Sequence, residues 1–144
     1  MVDQPETTPL PFNATGFATY LRQHRLMAAR CRHCGLINLP PRELCPRCYA
    51  AQMEWLELSG LGELAGFTSI AVGLPELTAE GYDRQHPYCS GVVRLAEGPA
   101  ISARLILADC AHPETIHIGM PLRAAFIKHG EGEQAQVTLA FEQR

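Results

Sequence analysis

The sequence contains little of the positive charge that binds nucleic acid. Lys128 is the only lysine, and the net charge of the 144-residue chain is −3. A protein dedicated to nucleic acid usually carries a basic face, and no basic run occurs along this chain. The composition therefore argues against a dedicated nucleic-acid binder.

The chain also has no long apolar run, and no secretory leader is expected. No stretch approaches the roughly 18 consecutive apolar residues that span a bilayer. The N-terminal segment MVDQPETTPLPF is acidic and rich in proline, so no signal peptide is expected. A cytoplasmic location is predicted, and thiols stay reduced there. Apolar residues at 47% against 19% charged residues still permit a globular core.

The chain contains six cysteines, and four of them form two CxxC pairs in the segment 31–48. Two such pairs can direct four thiolates at one point, which is the ligand set of a tetrahedral zinc site. Disulfides and a thioredoxin-like redox centre are the alternatives, but a redox CxxC would not need a second copy so close. Four thiolates leave no open position for water, so one structural zinc ion per chain is expected and no catalytic residue is assigned. The predicted zinc ligands are Cys31, Cys34, Cys45 and Cys48.

The other two cysteines, Cys89 and Cys110, are expected to be buried or half-buried thiols. A catalytic cysteine needs a base beside it, and the nearest histidines, His86 and His112, are neighbours in sequence only. The roles of both thiols stay open at this point.

The N-terminal part is predicted to be an arm followed by one helix. Residues 1–12 form a flexible arm or one that docks on a partner, and Asn13 or Thr15 can cap a helix over about 15–25. One face of this helix carries aromatic and apolar side chains at i, i+3, i+4 and i+7. Its members are Phe17, Tyr20, Leu21 and His24. That face either packs on its own domain or covers a partner, because a zinc ribbon offers little core to bury it.

Beyond the ribbon, the alternation of apolar residues predicts curved β-strands. Glycines inside the first predicted strand indicate strong curvature. Five segments form the strands, at 60–72, 88–98, 99–109, 116–130 and 135–144. The predicted fold is mainly β: an N-terminal helix, a four-cysteine zinc ribbon and a five-stranded OB-fold barrel. The predicted domains are an arm and helix at 1–25, the ribbon at 26–52 and the barrel at 53–144.

Together these pieces resemble a family of bacterial and archaeal proteins in which a rubredoxin-like zinc ribbon precedes an OB-fold, catalogued as domain of unknown function thirty-five. The resemblance spans roughly residues 20–128, and its motifs occur in the order that the family shows. They are CRHCG (31–35), PPRELCPRC (40–48), EWLELSGLGEL (54–64), FTSI (67–70), PYCSGVVRLAEGP (87–99) and IGMPLRAAF (118–126). The chain departs from the commonest pattern at Cys89 and Ser90, where bulkier β-branched residues are more usual.

The resemblance implies a non-catalytic accessory or scaffold subunit of a thiolase-superfamily complex, an acyl-CoA thiolase or aldolase, that helps to bind or channel the acyl-CoA. It implies a hetero-oligomer with the thiolase-type protein, and a two-plus-two assembly because thiolases are commonly dimeric. Arginine suits the phosphates of CoA, and six arginines occur between residues 22 and 47 against Glu43 alone. The predicted CoA-binding or partner-facing residues are Phe17, Tyr20, Arg22, Arg25, Arg30, Arg42 and Arg47.

Two other functions remain open. Zinc ribbons and OB-folds both occur in proteins that bind single-stranded nucleic acid, and such a barrel stacks bases on aromatic side chains. The aromatic candidates are Phe67, Tyr82, Tyr88, Phe126 and Phe141. A stand-alone acyl-CoA hydratase or thioesterase would have to use Asp83, His86, Cys89 or His117. The long connection 72–86 is predicted to touch a partner enzyme, because long loops in compact domains are often functional.

Overall fold

The computed structural model describes residues 10–70, 75, 81, 87–107, 110–132 and 135–144. In this part of the chain there are one α-helix, one short 3₁₀ turn and eight strands. They are α1 (Ala14–Arg22), β1 (Met27–Cys31), β2 (Ile37–Asn38), β3 (Met53–Glu57), β4 (Leu61–Ile70), β5 (Tyr88–Leu95), β6 (Ala100–Ile106), the turn Pro113–Thr115, β7 (Pro121–His129) and β8 (Gln136–Gln143). Among the described residues, no helix combines the length and the apolar character needed to cross a membrane.

Helix α1 begins at a side-chain cap and ends in a left-handed turn. The side chain of Asn13 accepts a hydrogen bond from the backbone N–H of Gly16 at 3.1 Å, which satisfies a donor that has no partner inside the helix. The helix ends at Arg22, three residues before the predicted end, and His24 adopts φ 57°. The His24 ring stacks on Phe126 of β7 at 5.2 Å between ring centroids. The turn therefore directs the chain from the helix towards β1.

The zinc ribbon is a three-stranded antiparallel sheet in the order β2-β1-β3. Strand β3 pairs with β1 along its whole length, from Met27 opposite Glu57 to Cys31 opposite Met53. Residues 53–57, which the sequence places at the start of the barrel segment, thus complete the sheet of the ribbon. The central strand β1 is buried except at Arg30.

The remaining five strands close into a barrel in the order β4-β5-β6-β8-β7, which confirms the predicted five-stranded barrel. All neighbours are antiparallel except β6 and β8. The register between β4 and β5 shifts between Leu64 and Gly66, and such a bulge bends a strand sharply. On β5, a Cβ at Gly91 would lie 2.7 Å from the carbonyl oxygen of Gly66. Glycine is required there because the two strands approach so closely.

One hydrophobic core extends through the helix, the base of the ribbon and the barrel. Leu21 of α1 and Ala28 of β1 belong to the same buried cluster as Leu64 and Phe141 of the barrel, and Phe17 packs against it. Helix α1 contacts β8 and β1. The helix thus buries its apolar face on its own chain, because the barrel supplies the core that a ribbon lacks. A smaller second cluster surrounds the cysteines of the ribbon.

Candidate metal centre and the surfaces around it

The two CxxC pairs form matching backbone turns at the tip of the ribbon. In the first turn the N–H of Gly35 donates to the carbonyl oxygen of Cys31 at 2.8 Å, and in the second the N–H of Tyr49 donates to that of Cys45 at 2.9 Å. Gly35 has φ 81° and Tyr49 has φ 64°. Both turns therefore pass through the left-handed region, which glycine adopts without cost and tyrosine does not.

The four sulfur atoms lie where a tetrahedral zinc ion needs them. The Sγ atoms of Cys31 and Cys48 are 3.5 Å apart, as are those of Cys34 and Cys45, and all four lie within 4.8 Å of one another. A tetrahedron with Zn–S bonds near 2.3 Å has sulfur–sulfur edges of about 3.8 Å. None of the four is in a disulfide. The cluster fits a structural zinc ion, and the exposed His33 between the first pair is not part of it.

Backbone donors beside the first CxxC pair favour the thiolate form of Cys31 and Cys34, which is the form that binds metal. The pKa of Cys34 is lowered to about 6, chiefly by a hydrogen bond from the backbone N–H of Leu36 and further by the guanidinium of Arg47. The pKa of Cys31 is lowered as well, in the first place by a hydrogen bond from the backbone N–H of Cys34. Arg47 also donates to the carbonyl oxygen of Cys34 at 2.9 Å, which fixes its position beside the site.

Aromatic side chains cover the outer face of strand β3. The ring of Trp55 stacks on Phe12 at 4.7 Å and meets Tyr20 edge-on at 4.9 Å between centroids. The indole N–H of Trp55 donates to the carbonyl oxygen of Leu10 at 3.1 Å. Tyr20, like Phe17, thus contacts its own chain, and contact of either with CoA or a partner stays a prediction. The contacts of Trp55 with Phe12 and Leu10 hold the residues just before the helix on the ribbon.

The predicted arginine cluster is partly neutralised by acidic residues that the sequence window 22–47 does not include. Arg25 donates to Glu57 at 2.7 Å, and Arg30 donates to Glu54 at 2.6 Å. Arg30 and Glu54 face each other directly across β1 and β3. The sheet register therefore creates these pairs. Arg22 and Arg42 are exposed and form no ion pair within the described part of the chain; their assignment to CoA or a partner also stays a prediction.

The barrel aromatics are largely used in packing. Phe141 is completely buried, and Phe67 and Phe126 pack against the main core. Tyr88 is half-buried beside the guanidinium of Arg104, at 6.0 Å from its ring centroid. Tyr82 lies outside the described residues. The described aromatics therefore do not form an open platform for stacking bases.

The residues suggested for stand-alone catalysis are not brought together in the described structure. His117 is exposed and Cys89 is completely buried. Asp83 and His86 lie outside the described residues, as does the connection 72–86 apart from Pro75 and Gly81. Among described residues, the four cysteines of the ribbon are the one group whose ligand atoms converge on a metal.

Sequence reasoning missed an apolar surface at the second turn of the ribbon. Leu44 is 58% exposed and Tyr49 is 80% exposed, and they flank the CPRC pair. Leu44 also lines a groove with Leu10 and Pro11. Aligning the turn CRHCG with CPRCY would have placed Tyr49 at the position of Gly35, which is a signal that a bulky residue occupies a glycine conformation.

Comparison with protein-family models matches both halves of the chain. Residues 18–54 match the rubredoxin-like zinc ribbon domain of ChsH2, and residues 55–126 match the C-terminal OB-fold domain of ChsH2. The two models follow each other without a gap, in the order that the fold shows. They confirm the family resemblance and the zinc ribbon followed by an OB-fold.

Individual proteins show the same relationship. A DUF35 domain-containing scaffold protein of Methanocaldococcus jannaschii is 30% identical over 119 residues, which cover 81% of this chain and 79% of that protein. The benzoylsuccinyl-CoA thiolase subunit BbsA of Thauera aromatica is 30% identical over 92 residues, which cover 64% of this chain and 56% of BbsA. A solved structure described as an Ltp2-ChsH2(DUF35) aldolase contains a chain with the same fold, at TM-score 0.73 and 22% identity, covering 94% of this chain and 98% of that chain.

Proposed function

The chain belongs to the DUF35 family of ChsH2-type proteins, and we propose that it is the non-catalytic scaffold subunit of a thiolase-superfamily complex that processes an acyl-CoA. In this proposal Cys31, Cys34, Cys45 and Cys48 hold one structural zinc ion. The zinc stabilises the tip of the ribbon and takes no part in chemistry, because four thiolates leave no ligand position for water or substrate.

The observation that carries the proposal is the match over most of the chain to a scaffold protein, together with the match to a thiolase subunit. The buried aromatics of the barrel and the net charge of −3 disfavour the single-stranded nucleic-acid alternative. A cytoplasmic location accords with reduced ribbon cysteines.

The proposal is tested by co-expression with a thiolase-superfamily protein from the same genome. We expect the two proteins to elute as one complex in size-exclusion chromatography with light scattering. The mass of that complex also tests the proposed two-plus-two stoichiometry. The chain purified alone should not turn over acyl-CoA substrates, whereas the complex should.

Two results would contradict this function. One is turnover of an acyl-CoA by the chain alone, which would favour a stand-alone hydratase or thioesterase. The other is separate elution of the chain in the presence of each thiolase-superfamily protein of the genome. Salt-dependent binding to a single-stranded oligonucleotide in that case would support the nucleic-acid alternative.

We infer that the apolar surface formed by Leu44 and Tyr49 contacts the thiolase-type partner. Large apolar side chains at this exposure are typical of an interface core when a partner covers them. The left-handed conformation of Tyr49 costs roughly 1 kcal/mol relative to glycine. A bulky aromatic at this position is therefore not explained by the stability of the turn.

This surface can be tested by the substitution Tyr49→Gly. Because glycine adopts φ 64° without strain, the variant should fold and bind zinc at least as well as the original chain. We expect weaker association with the partner, measured by titration calorimetry. Ile118→Ser is the matched control, since Ile118 is 62% exposed on the barrel side of the chain. Unchanged affinity of the Tyr49→Gly variant would exclude this surface.

We further propose that Arg22 and Arg42 are the predicted arginines best able to reach the phosphates of an acyl-CoA. Their guanidinium groups are exposed, while Arg25 and Arg30 are paired with glutamates. An arginine already bound to a carboxylate offers fewer donors to a phosphate. Arg22→Ala and Arg42→Ala should weaken binding of CoA to the complex, with Arg30→Ala as the control.

An equal loss in all three arginine variants would contradict this ranking. No loss in Arg22→Ala and Arg42→Ala would place the acyl-CoA on the partner alone. The proposed partner contact of residues 72–86 is tested separately by deletion of residues 76–84. We expect weaker association with unchanged zinc content, and unchanged association would exclude that contact.

A further inference from the structure

Two cysteines outside the metal centre come together at one end of the barrel. Cys89 is the second residue of β5 and is completely buried. Cys110 follows β6 and is half-buried. Cys89 belongs to the main hydrophobic cluster and Cys110 packs against that cluster. The proposed scaffold function makes no use of either thiol.

A serine on a third strand links the two cysteines. Ser69 of β4 lies directly opposite Cys89 in the antiparallel register, so both side chains point to the same face of the sheet. The hydroxyl of Ser69 donates to the carbonyl oxygen of Cys110 at 2.6 Å. The backbone at Cys110 is therefore held beside the buried thiol.

The two thiols differ in their access to solvent, because Cys89 is completely buried and Cys110 is half-buried. Burial in the first place, and then the hydrogen bond with Cys110, raise the pKa of Cys89 to about 12. Cys89 is therefore the less reactive of the two thiols towards an oxidant in solvent, and it reacts only after Cys110 beside it has been oxidised. A small oxidant from solvent reaches Cys110 first, because Cys110 retains exposed surface.

We propose that Cys89 and Cys110 are a site of oxidative modification, at which hydrogen peroxide converts the two thiols into an intramolecular disulfide. Peroxide first oxidises the sulfur of Cys110 to a sulfenic acid and releases one water. The sulfur of Cys89 then attacks the sulfur of Cys110, and its proton leaves with the hydroxyl group as a second water. The two thiols lose two electrons and two protons in all, and one peroxide is reduced to two waters.

The proposal is tested on the zinc-loaded, full-length chain treated with hydrogen peroxide under native conditions. Remaining thiols are alkylated, and the digested protein is analysed by mass spectrometry without reduction. We expect a disulfide-linked pair of peptides that contain Cys89 and Cys110, with the zinc content unchanged. Adding a reductant should separate the pair and restore both thiols to alkylation.

Variants distinguish a specific pair from random oxidation. Cys110→Ser should lose the linked product completely while it folds normally, because the site is half-buried. Cys89→Val should lose it as well, and a β-branched residue suits a strand position. In both variants the ribbon should keep its zinc, so the loss of the linked product does not come from loss of the metal.

Three results would overturn the proposal. The first is full alkylation of both thiols after a peroxide dose that already releases zinc from the ribbon. The second is Cys110 oxidised to a sulfinic acid while Cys89 stays reduced. The third is a disulfide that joins either residue to a cysteine of the ribbon in place of the Cys89–Cys110 product.

Discussion

Replacing Leu21 with alanine tests whether the apolar face of helix α1 packs in the core of its own chain or forms a partner-binding surface. Leu21 is 5% exposed and lies in the cluster that joins helix, ribbon and barrel. Leucine-to-alanine changes in well-packed cores cost about 2–5 kcal/mol, and the cost is larger where the surroundings cannot collapse. The neighbouring barrel strands are fixed by their hydrogen-bonded ladders. We therefore expect the free energy of unfolding to fall by ~3 kcal/mol, which changes the ratio of folded to unfolded chain by about two orders of magnitude.

The assay is urea unfolding followed by circular dichroism, with zinc held at one saturating concentration in every sample. Arg22→Ala is the matched control, because Arg22 is the next residue of the same helix and is exposed. That change should alter the free energy of unfolding by less than about 0.5 kcal/mol. A loss below ~1 kcal/mol in Leu21→Ala would refute the packing argument. Such a small loss would instead indicate that the apolar face of the helix binds a partner.

Three further predictions concern local features of the fold. Asn13→Ala should lower the free energy of unfolding by about 1 kcal/mol because the helix loses its cap, whereas Asn13→Asp should restore most of it in the same urea assay. An unchanged midpoint for the alanine variant would contradict the capping role. Gly91→Val should destabilise the barrel by roughly 1–3 kcal/mol or more, because the added Cβ would press on the carbonyl oxygen of Gly66. A thermal midpoint equal to that of the original chain would show that the two strands can separate without cost. Removal of zinc by a chelator should expose residues 31–52 to hydrogen exchange while β5 stays protected, because the cysteines have their own small cluster apart from the barrel core. Loss of protection throughout the chain would contradict that separation.

The parts of the structure that local geometry determines were predicted from sequence. The CxxC spacing places two sulfur atoms within one turn, so the metal centre follows from the segment 31–48 alone. The capping residue Asn13 was one of two candidates for the same reason. The five barrel strands follow from the alternation of apolar residues and from the glycines that indicate strong curvature. Each of these features depends on residues that are near one another in the chain.

Two features that depend on long-range pairing do not follow from the sequence. The segment 22–47 is basic when its own charges alone are counted. The pairing of β1 with β3, however, brings Glu54, which lies outside that segment, opposite Arg30. The sequence leaves open whether the apolar face of the helix packs on its own domain or covers a partner, whereas the structure places it against β8 at the far end of the chain and against β1. The pattern of residues within one segment does not reveal which distant segment of the chain packs against it.

The shared core makes the connection between the ribbon and the barrel rigid, which is the property that a scaffold needs. If the ribbon and barrel had separate cores, the short connection at Leu58 and Ser59 would act as a hinge between them. Leu58 is instead buried in the joint cluster, and the backbone N–H of Ser59 donates to the carboxylate of Glu97 at 2.8 Å, on the turn between β5 and β6. A partner that binds the apolar surface at Leu44 and Tyr49 would therefore hold the barrel at a fixed position as well. A closed zinc site and a continuous core together favour a subunit that positions other groups over one that performs the reaction.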